Sequence, residues 1–302
     1  MNTRPNNWHK WQRTFNALTT IAEALQQANS QLIDSDSPKL DAELLLLQLL
    51  EKPRTHLFCW PDEIVAEELL TQYKALIDSR ASGTPIAHLT GQREFWSRDF
   101  RITSDTLIPR PDTELLIELA LERLSNNTKG LVADLGTGSG VIGITIAIER
   151  PGIEVIATDM SQKALKVASE NAKNLGAKNI TFRLSDWLDA INERAFQLII
   201  SNPPYIAKND PHLKQGDIRF EPDSALTSGK EGLDDIEVIA REARHHLLEN
   251  GLLLLEHGYN QAENVQQILS KNGYRNIQSH SDLAGHLRAT SAEWHTQINK
   301  IL

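Results

Sequence analysis

Cysteine is nearly absent from this 302-residue chain. Cys59 stands alone, so no internal disulfide can hold the fold, and a reducing compartment is expected. Long apolar runs are missing too. The longest, Leu44 to Leu50, is broken by Gln48 and falls short of the roughly 20 residues a membrane span needs. Met1 to Phe15 is polar and lacks the apolar stretch of a secretory signal, so a cytoplasmic protein without membrane contact is expected. Basic segments are the third absence. Lys and Arg number 31 against 40 Asp and Glu, a net charge of −9. The split is 8 against 11 over residues 1–90, 4 against 3 over 91–110, and 19 against 26 over 111–302. Tight sequence-independent binding of nucleic acid relies on clustered Lys and Arg, so no direct nucleic-acid partner is expected.

What is present is enough apolar sequence, 40%, to build two cores. Residues 1–15 read as a disordered extension. Residues 16–85 read as a helical domain. In it, Phe15, Leu18, Ile21, Ala22 and Leu25 give one helix over Thr14 to Gln31, Ser35-Asp36-Ser37-Pro38 opens a second through Leu50, and a third runs from near Pro61 to Arg80. Residues 86–110 read as a linker carrying a short hairpin, with Ser97 to Asp99 between its strands. From Pro111 a helix with a Leu115, Leu116 and Leu119 stripe leads into alternating elements. Strands are expected at Leu131–Asp134, Glu154–Thr158, Ile180–Leu184, Gln197–Ser201, Gly251–Glu256 and Tyr274–Ser279. Helices are expected at Val141–Ile148, Ser161–Leu175, Asp234–Leu248 and Gln261–Leu269. Such alternation implies an α/β fold with a doubly wound, mostly parallel sheet over residues 111–302.

The chemistry collects at strand ends. The first strand of the sheet runs into Asp134-Leu135-Gly136-Thr137-Gly138-Ser139-Gly140, a glycine-rich turn into a helix that lets a ligand approach the backbone. Its spacing lacks the third glycine of the dinucleotide pattern, and no Lys-Ser/Thr follows to hold a triphosphate. Asp159, at the end of the second strand, is placed to accept from two ribose hydroxyls. Asp186 and Trp187 follow the third strand, where they suit an adenine amino group and ring. These features favour S-adenosylmethionine over a nicotinamide or ATP. The fourth strand leads into Asn202-Pro203-Pro204-Tyr205, a stiff loop rich in acceptors and poor in donors. The Asn202 oxygen and the Pro203 carbonyl can both face one –NH₂ group, with Tyr205 against the plane that bears it. That suits methyl transfer to a planar amine or amide nitrogen.

These motifs together resemble the bacterial protein-(glutamine-N5) methyltransferases that modify class I peptide-chain release factors. The resemblance runs from about residue 17 to the C-terminus. Its most specific segments are Leu107-Ile108-Pro109-Arg110-Pro111-Asp112-Thr113-Glu114 and Arg219-Phe220-Glu221-Pro222. Pro85 to Gly91, Glu94-Phe95-Trp96 and Leu254-Leu255-Glu256-His257-Gly258 add to them. It implies a class I S-adenosylmethionine-dependent methyltransferase fold whose N-terminal helical domain grips the release factor. It also implies S-adenosyl-L-methionine as donor, held by Gly136 to Gly140, Asp159, Asp186, Trp187 and Asn202, and S-adenosyl-L-homocysteine as product. Asn202, Pro203, Pro204 and Tyr205 would hold the glutamine amide of a Gly-Gly-Gln loop, and Arg110 and Thr113 would line the donor pocket. For Arg110 a surface charge at a helix start is the other reading. The tetrapeptide is shared with nucleic-acid amino methyltransferases that act on adenine N6 or guanine N2, which remain the alternative. A monomer without metal is expected, since His245-His246 and His257 lack partners for a zinc set. Asp217, Arg219 and Glu221 form either a lid or a surface ion-pair cluster. Asp282 to Arg288 keeps the family's spacing, but Ala289 to Leu302 is more polar than a usual closing strand, which leaves the last strand's path open.

Overall fold

The structure, a computed structural model, describes residues 19–214 and 216–295. The extension expected over residues 1–15 lies outside them. The chain divides between Thr90 and Gly91 into two compact units.

The first unit is helical: α1 (Ile21–Gln31), α2 (Pro38–Leu50), α3 (Thr55–Cys59), α4 (Glu67–Ala81) and α5 (Ile86–Thr90). Helix α1 starts later than its apolar rhythm suggests, because Thr20 caps it: Thr20 accepts from Glu23 N–H and Glu23 returns a bond to the Thr20 N–H. Thr20 also forms a bridge with Ile64. That bridge ends the expectation of one helix from Pro61 to Arg80. Residues 61–66 are extended or turning, Ile64 is exposed, and α4 starts only at Glu67. Ser37 precedes Pro38 as expected, but its hydroxyl bonds the Asp41 carboxylate rather than the helix end. Asp41 is buried and meets Arg80 at 2.7 Å, so the acid is paired, as burial requires. Leu45, Leu46, Leu70, Tyr73 and Ile77 fill the core, and the Tyr73 hydroxyl donates to the Ala42 carbonyl.

The second unit opens with a hairpin of β1 (Gln92–Phe95) and β2 (Arg98–Arg101). Its turn is Trp96-Ser97, one residue earlier than expected. Both residues have positive φ (51° and 57°), a conformation usually given to Gly or Asn, so their identities conceal the turn. The Trp96 N–H is held by the Glu114 carboxylate. A 3-10 turn at Pro111–Thr113 leads into α6 (Glu114–Arg123), whose buried stripe is Leu116, Ile117 and Ala120. The remaining elements are β3 (Gly130–Leu135), α7 (Val141–Glu149), β4 (Ile153–Asp159), α8 (Gln162–Leu175), β5 (Ile180–Leu184) and β6 (Phe196–Ser201). They are followed by α9 (Asp234–Ala243), β7 (Leu247–Glu256), α10 (Ala262–Lys271), β8 (Arg275–Ser281) and β9 (Leu287–Glu293).

The sheet has the order β5-β4-β3-β6-β7-β9-β8, with β9 antiparallel to both neighbours. Successive strand residues face opposite sides. Ala133, Leu135, Ile199, Leu253 and Leu255 therefore meet α9 and α10 in one core, while α6, α7 and α8 cover the other face. This is the doubly wound, mostly parallel α/β architecture expected from the alternation of strands and helices. Helix α9 ends five residues before the expected Leu248, because Leu247 is drawn into the sheet opposite Phe196. The closing strand is β9. Its small residues Ala289, Thr290 and Ala292 are buried, and its polar atoms are used internally: Thr290 Oγ1 bonds His257 and Ser279, and Ser291 bonds His280. No described helix is long and apolar enough to cross a membrane.

Candidate active site

The pairing of β3 with β6 is what makes the site. Strand order reverses beside β3, so the loops after these two strands open onto one crevice at their carboxyl ends. A cavity of 560 Å³ lies there, within the range usual for small-molecule sites. Its wall includes Gly136, Gly138, Asp159, Asp186, Trp187, Asn202 and Pro204.

The glycine turn sets its residues partly in the cavity wall and partly in the protein interior. Gly136, Gly138 and Gly140 all have positive φ (70°, 57° and 89°). Three of the turn's backbone donors are spent internally: Thr137 N–H goes to the Thr158 carbonyl, Gly138 N–H to Asp159 Oδ2 and Gly140 N–H to the Thr137 carbonyl. Thr137, Ser139 and Gly140 are buried behind Gly136 and Gly138, which line the cavity. The Thr137 hydroxyl donates to Asp134, Asn171 donates to the Ser139 carbonyl, and Gly140 packs too tightly on Ile144 and Ala168 to take a side chain. Asp134 is fully buried, and one oxygen, Oδ2, accepts from both Thr137 and Gly143. Burial, aided by the nearby Asp159 charge, pushes its pKa up to about 6.

Asp159 is positioned from both sides. Oδ2 accepts from Gly138 N–H at 2.9 Å and Oδ1 from Ser161 N–H at 2.8 Å, which leaves each oxygen a further lone pair for a ligand hydroxyl. Burial raises its pKa, and the two N–H bonds oppose that rise. The Trp187 ring lies over Gly136 so closely that a Cβ there would sit 3.1 Å from it.

A second, smaller cavity of 60 Å³ adjoins the first. Both are lined by Leu107, Asn202 and Ala225, and the smaller one adds Arg110, Pro203, Tyr205, Ile206, Ile218 and Leu226. Arg110 and Thr113 stand outside the wall of the large cavity. Arg110 instead faces the small one and pairs with the buried Glu221, which also accepts from Ile108 N–H at 2.8 Å. Thr113 is buried and accepts from Asn202 Nδ2 at 3.1 Å. Of the segment at 217–221, Glu221 is thus an internal clamp, and Pro222, Ser224 and Ala225 after it wall the large cavity.

Two residues hold the reacting loop: Glu256, which stands in one of the family-like segments, and Gln261, which no motif marks. Glu256, buried at the end of β7, accepts from the Tyr205 hydroxyl at 3.2 Å. Gln261 Nε2 donates to the Tyr205 carbonyl at 3.0 Å while its Oε1 accepts from Gly258 N–H. Burial, with the Glu256 charge adding to it, raises the Tyr205 pKa and keeps the phenol neutral. Neither residue belongs to a motif that chemistry alone would single out; both lie far along the chain from the loop. His257 is a core residue between the Gly258 carbonyl and Thr290, and His246 bonds the Glu193 carbonyl. No metal-binding group occurs among the described residues.

Gly232 shows how closely this loop is packed. At φ +77° a Cβ there would lie 2.2 Å from the Tyr205 carbonyl oxygen. Gly232→Ala is expected to cost about 1–3 kcal/mol of stability by overpacking and backbone strain. Turnover is expected to fall by about tenfold or more, because the carbonyl and its tyrosine must shift. Thermal melts and initial rates of methyl transfer check both effects.

Residues 113–218 match the family model described as "Methyltransferase small domain", and residues 23–91 match "PrmC N-terminal domain". The release factor glutamine methyltransferase of Escherichia coli (strain K12) is 44% identical over 271 residues, covering 90% of this chain and 98% of that protein. That of Vibrio cholerae is 45% identical over 281 residues, covering 92% and 98%. A methyltransferase of Pyrococcus furiosus shares the fold at a TM-score of 0.51 and 15% identity, covering 74% of this chain and 99% of that one. With relatives this similar matched along nearly their whole length, the chain belongs to the release factor glutamine methyltransferase family, and it is an enzyme of that kind.

Proposed function

We propose that the protein transfers a methyl group from S-adenosyl-L-methionine to the side-chain amide nitrogen, N5, of the glutamine in the Gly-Gly-Gln loop of class I release factors. The product left in the site is S-adenosyl-L-homocysteine. One observation carries this reading: Asn202 forms part of the wall shared by a large cavity and a narrow one. A donor in the first and an amide in the second would meet at its side chain.

The large cavity suits the donor. Asp159 keeps two unused lone pairs beside the glycine turn, Trp187 offers a ring, and Asp186 stands next to it. When bound, the sulfonium of S-adenosylmethionine supplies an electrophilic methyl carbon. The chain's own residues do the rest. Asn202 Oδ1 and the Pro203 carbonyl accept from the amide –NH₂ and turn its nitrogen toward the large cavity. As that nitrogen gains positive charge, these two fixed acceptors stabilise it, the counterpart of an oxyanion hole with signs reversed. Tyr205, Leu107 and Ile218 wall the amide and keep water from it. An N-alkylated, positively charged amide is a strong acid, so its proton leaves to water without a catalytic base.

The helical unit that matches the N-terminal domain model is the part we assign to gripping the release factor, in the cytoplasm, by a monomer that does not itself bind nucleic acid. Incubation with tritium-labelled S-adenosylmethionine and a recombinant release factor is expected to label the tryptic peptide that carries Gly-Gly-Gln. A peptide that stays unlabelled while the protein binds the donor would overturn this reading. Faster transfer to DNA or ribosomal RNA would favour the nucleic-acid amino methyltransferases that share the tetrapeptide.

A further inference from the structure

The turn between β8 and β9 takes no part in the transfer, yet it stands beside the acceptor cavity. β9 pairs with β7 so that Ala289 lies opposite Glu256, the acid that accepts from the Tyr205 hydroxyl. One residue on, the His257 N–H donates to the Arg288 carbonyl at 2.9 Å. Arg288 Nε also meets Asp112 at 3.2 Å, close along the chain to Arg110 in the wall of the small cavity. In the sheet, β7 and β9 are the next two strands after β6. Neighbouring strands lie about 4.8 Å apart, so this hairpin begins about 10 Å from the strand that carries Asn202.

The hairpin's tip is apolar and held still. The Asp282 carboxylate accepts from the Ala284 and His286 N–H groups, both at 2.9 Å, and from Arg288 Nε at 3.3 Å. The Asp282 N–H donates to the His286 carbonyl at 2.9 Å and closes the strand pair. On this braced turn Leu283 is fully exposed, more so than any other large apolar side chain among the described residues. Leu287, at the start of β9, is exposed as well. Tyr259 stands beside the hairpin, 62% exposed, its ring 6.0 Å from that of His286 and 5.9 Å from the Arg288 guanidinium. A single exposed leucine is ordinary. Three exposed apolar side chains on and beside one braced turn form a surface that loses little freedom when a partner covers it.

We propose that Leu283, Leu287 and Tyr259 form a docking surface for the folded release factor around its acceptor glutamine. The inference rests on the proposed transfer to that glutamine. Size argues for the occupant. A standard specific interface takes about 800 Å² from each partner, a disc about 16 Å in radius. A folded protein that puts one side chain into the 60 Å³ cavity must therefore cover the ground on which the hairpin stands. Charge argues the same way. Arg288 is already paired with two carboxylates, Asp112 and Asp282, so the surface suits an apolar protein face rather than a phosphate backbone.

Because Leu283 is fully exposed, Leu283→Asp removes no internal packing, and its melting temperature and donor Kd are expected to match wild type. Its Kd for purified release factor, measured by calorimetry with S-adenosyl-L-homocysteine present, is expected to rise about tenfold. KM for the release factor should rise in step, with kcat within about twofold. Tyr259→Ala is expected to act in the same direction, and Leu283→Met to keep wild-type values. A photoreactive benzoylphenylalanine in place of Leu283 is expected to cross-link to the release factor. The same group in place of Leu248, exposed near the opposite end of β7, is expected not to. Wild-type Kd and KM in Leu283→Asp, or equal cross-linking from the two positions, would overturn the inference. Wild-type protein that binds the release factor through Leu283 and transfers no methyl would instead overturn the proposed reaction and leave the docking surface standing.

Discussion

Replacing Asn202 by alanine is expected to lower kcat by about 10²–10³-fold while donor affinity moves by less than about threefold. The magnitude is that of removing one preorganised polar group from a site where charge develops in the transition state. The asymmetry follows from what the side chain touches. Its Nδ2 is already engaged by the buried Thr113, so the group that alanine removes from the cavities is chiefly the oxygen. The large cavity keeps Asp159, Trp187, Gly136 and Gly138 in its wall. Single-turnover methyl transfer and calorimetric titration of the donor separate the two effects. A variant whose donor affinity collapsed while its turnover survived would reverse the assignment.

The skeleton of this site was legible because its parts are local. A glycine turn after a strand, an acid at the next strand's end and a proline-stiffened loop after the fourth strand each declare themselves within a few residues. The alternation of strand and helix then brings their loops together at the β3–β6 pairing. What stayed hidden was of two kinds. Some features break local rules and are compensated from afar, such as the Trp96-Ser97 turn held by Glu114. Others are contacts between distant residues. Thr113 and Asn202, Tyr205 and Glu256, and Arg110 and Glu221 meet only once the chain has folded. The inward placement of two turn residues was hidden as well. Thr137 and Ser139 sit between glycines, yet the turn directs them into the protein, where Asp134 and Asn171 consume their polar groups.

Asp159 is expected to show the opposite pattern from Asn202. Asp159→Asn should raise the donor's Kd by roughly 10²-fold, about 2.7 kcal/mol, and leave kcat at saturating donor within about threefold. Each charge-assisted bond from a ribose hydroxyl to a carboxylate contributes about 1.5–3 kcal/mol, so loss of the charge and of one acceptor accounts for the effect. The reacting atoms are not involved, since Asp159 lines only the large cavity and faces the glycine turn. Stability provides the control. Burial raises the Asp159 pKa in the folded protein above its ordinary value of 3.8. The folded state therefore holds that proton more tightly than the unfolded chain. Ionisation costs the fold as pH rises past 3.8, and that cost is largest once the folded carboxyl has ionised. Removing the charge lifts this cost, though asparagine must still satisfy the Gly138 and Ser161 N–H groups with one oxygen. The melting temperature of the variant is therefore expected to fall less at pH 8 than at pH 4, where the wild-type carboxyl carries more of its proton. A variant that lost donor affinity only in step with a falling melting temperature would show that Asp159 shapes the turn rather than binding the ribose.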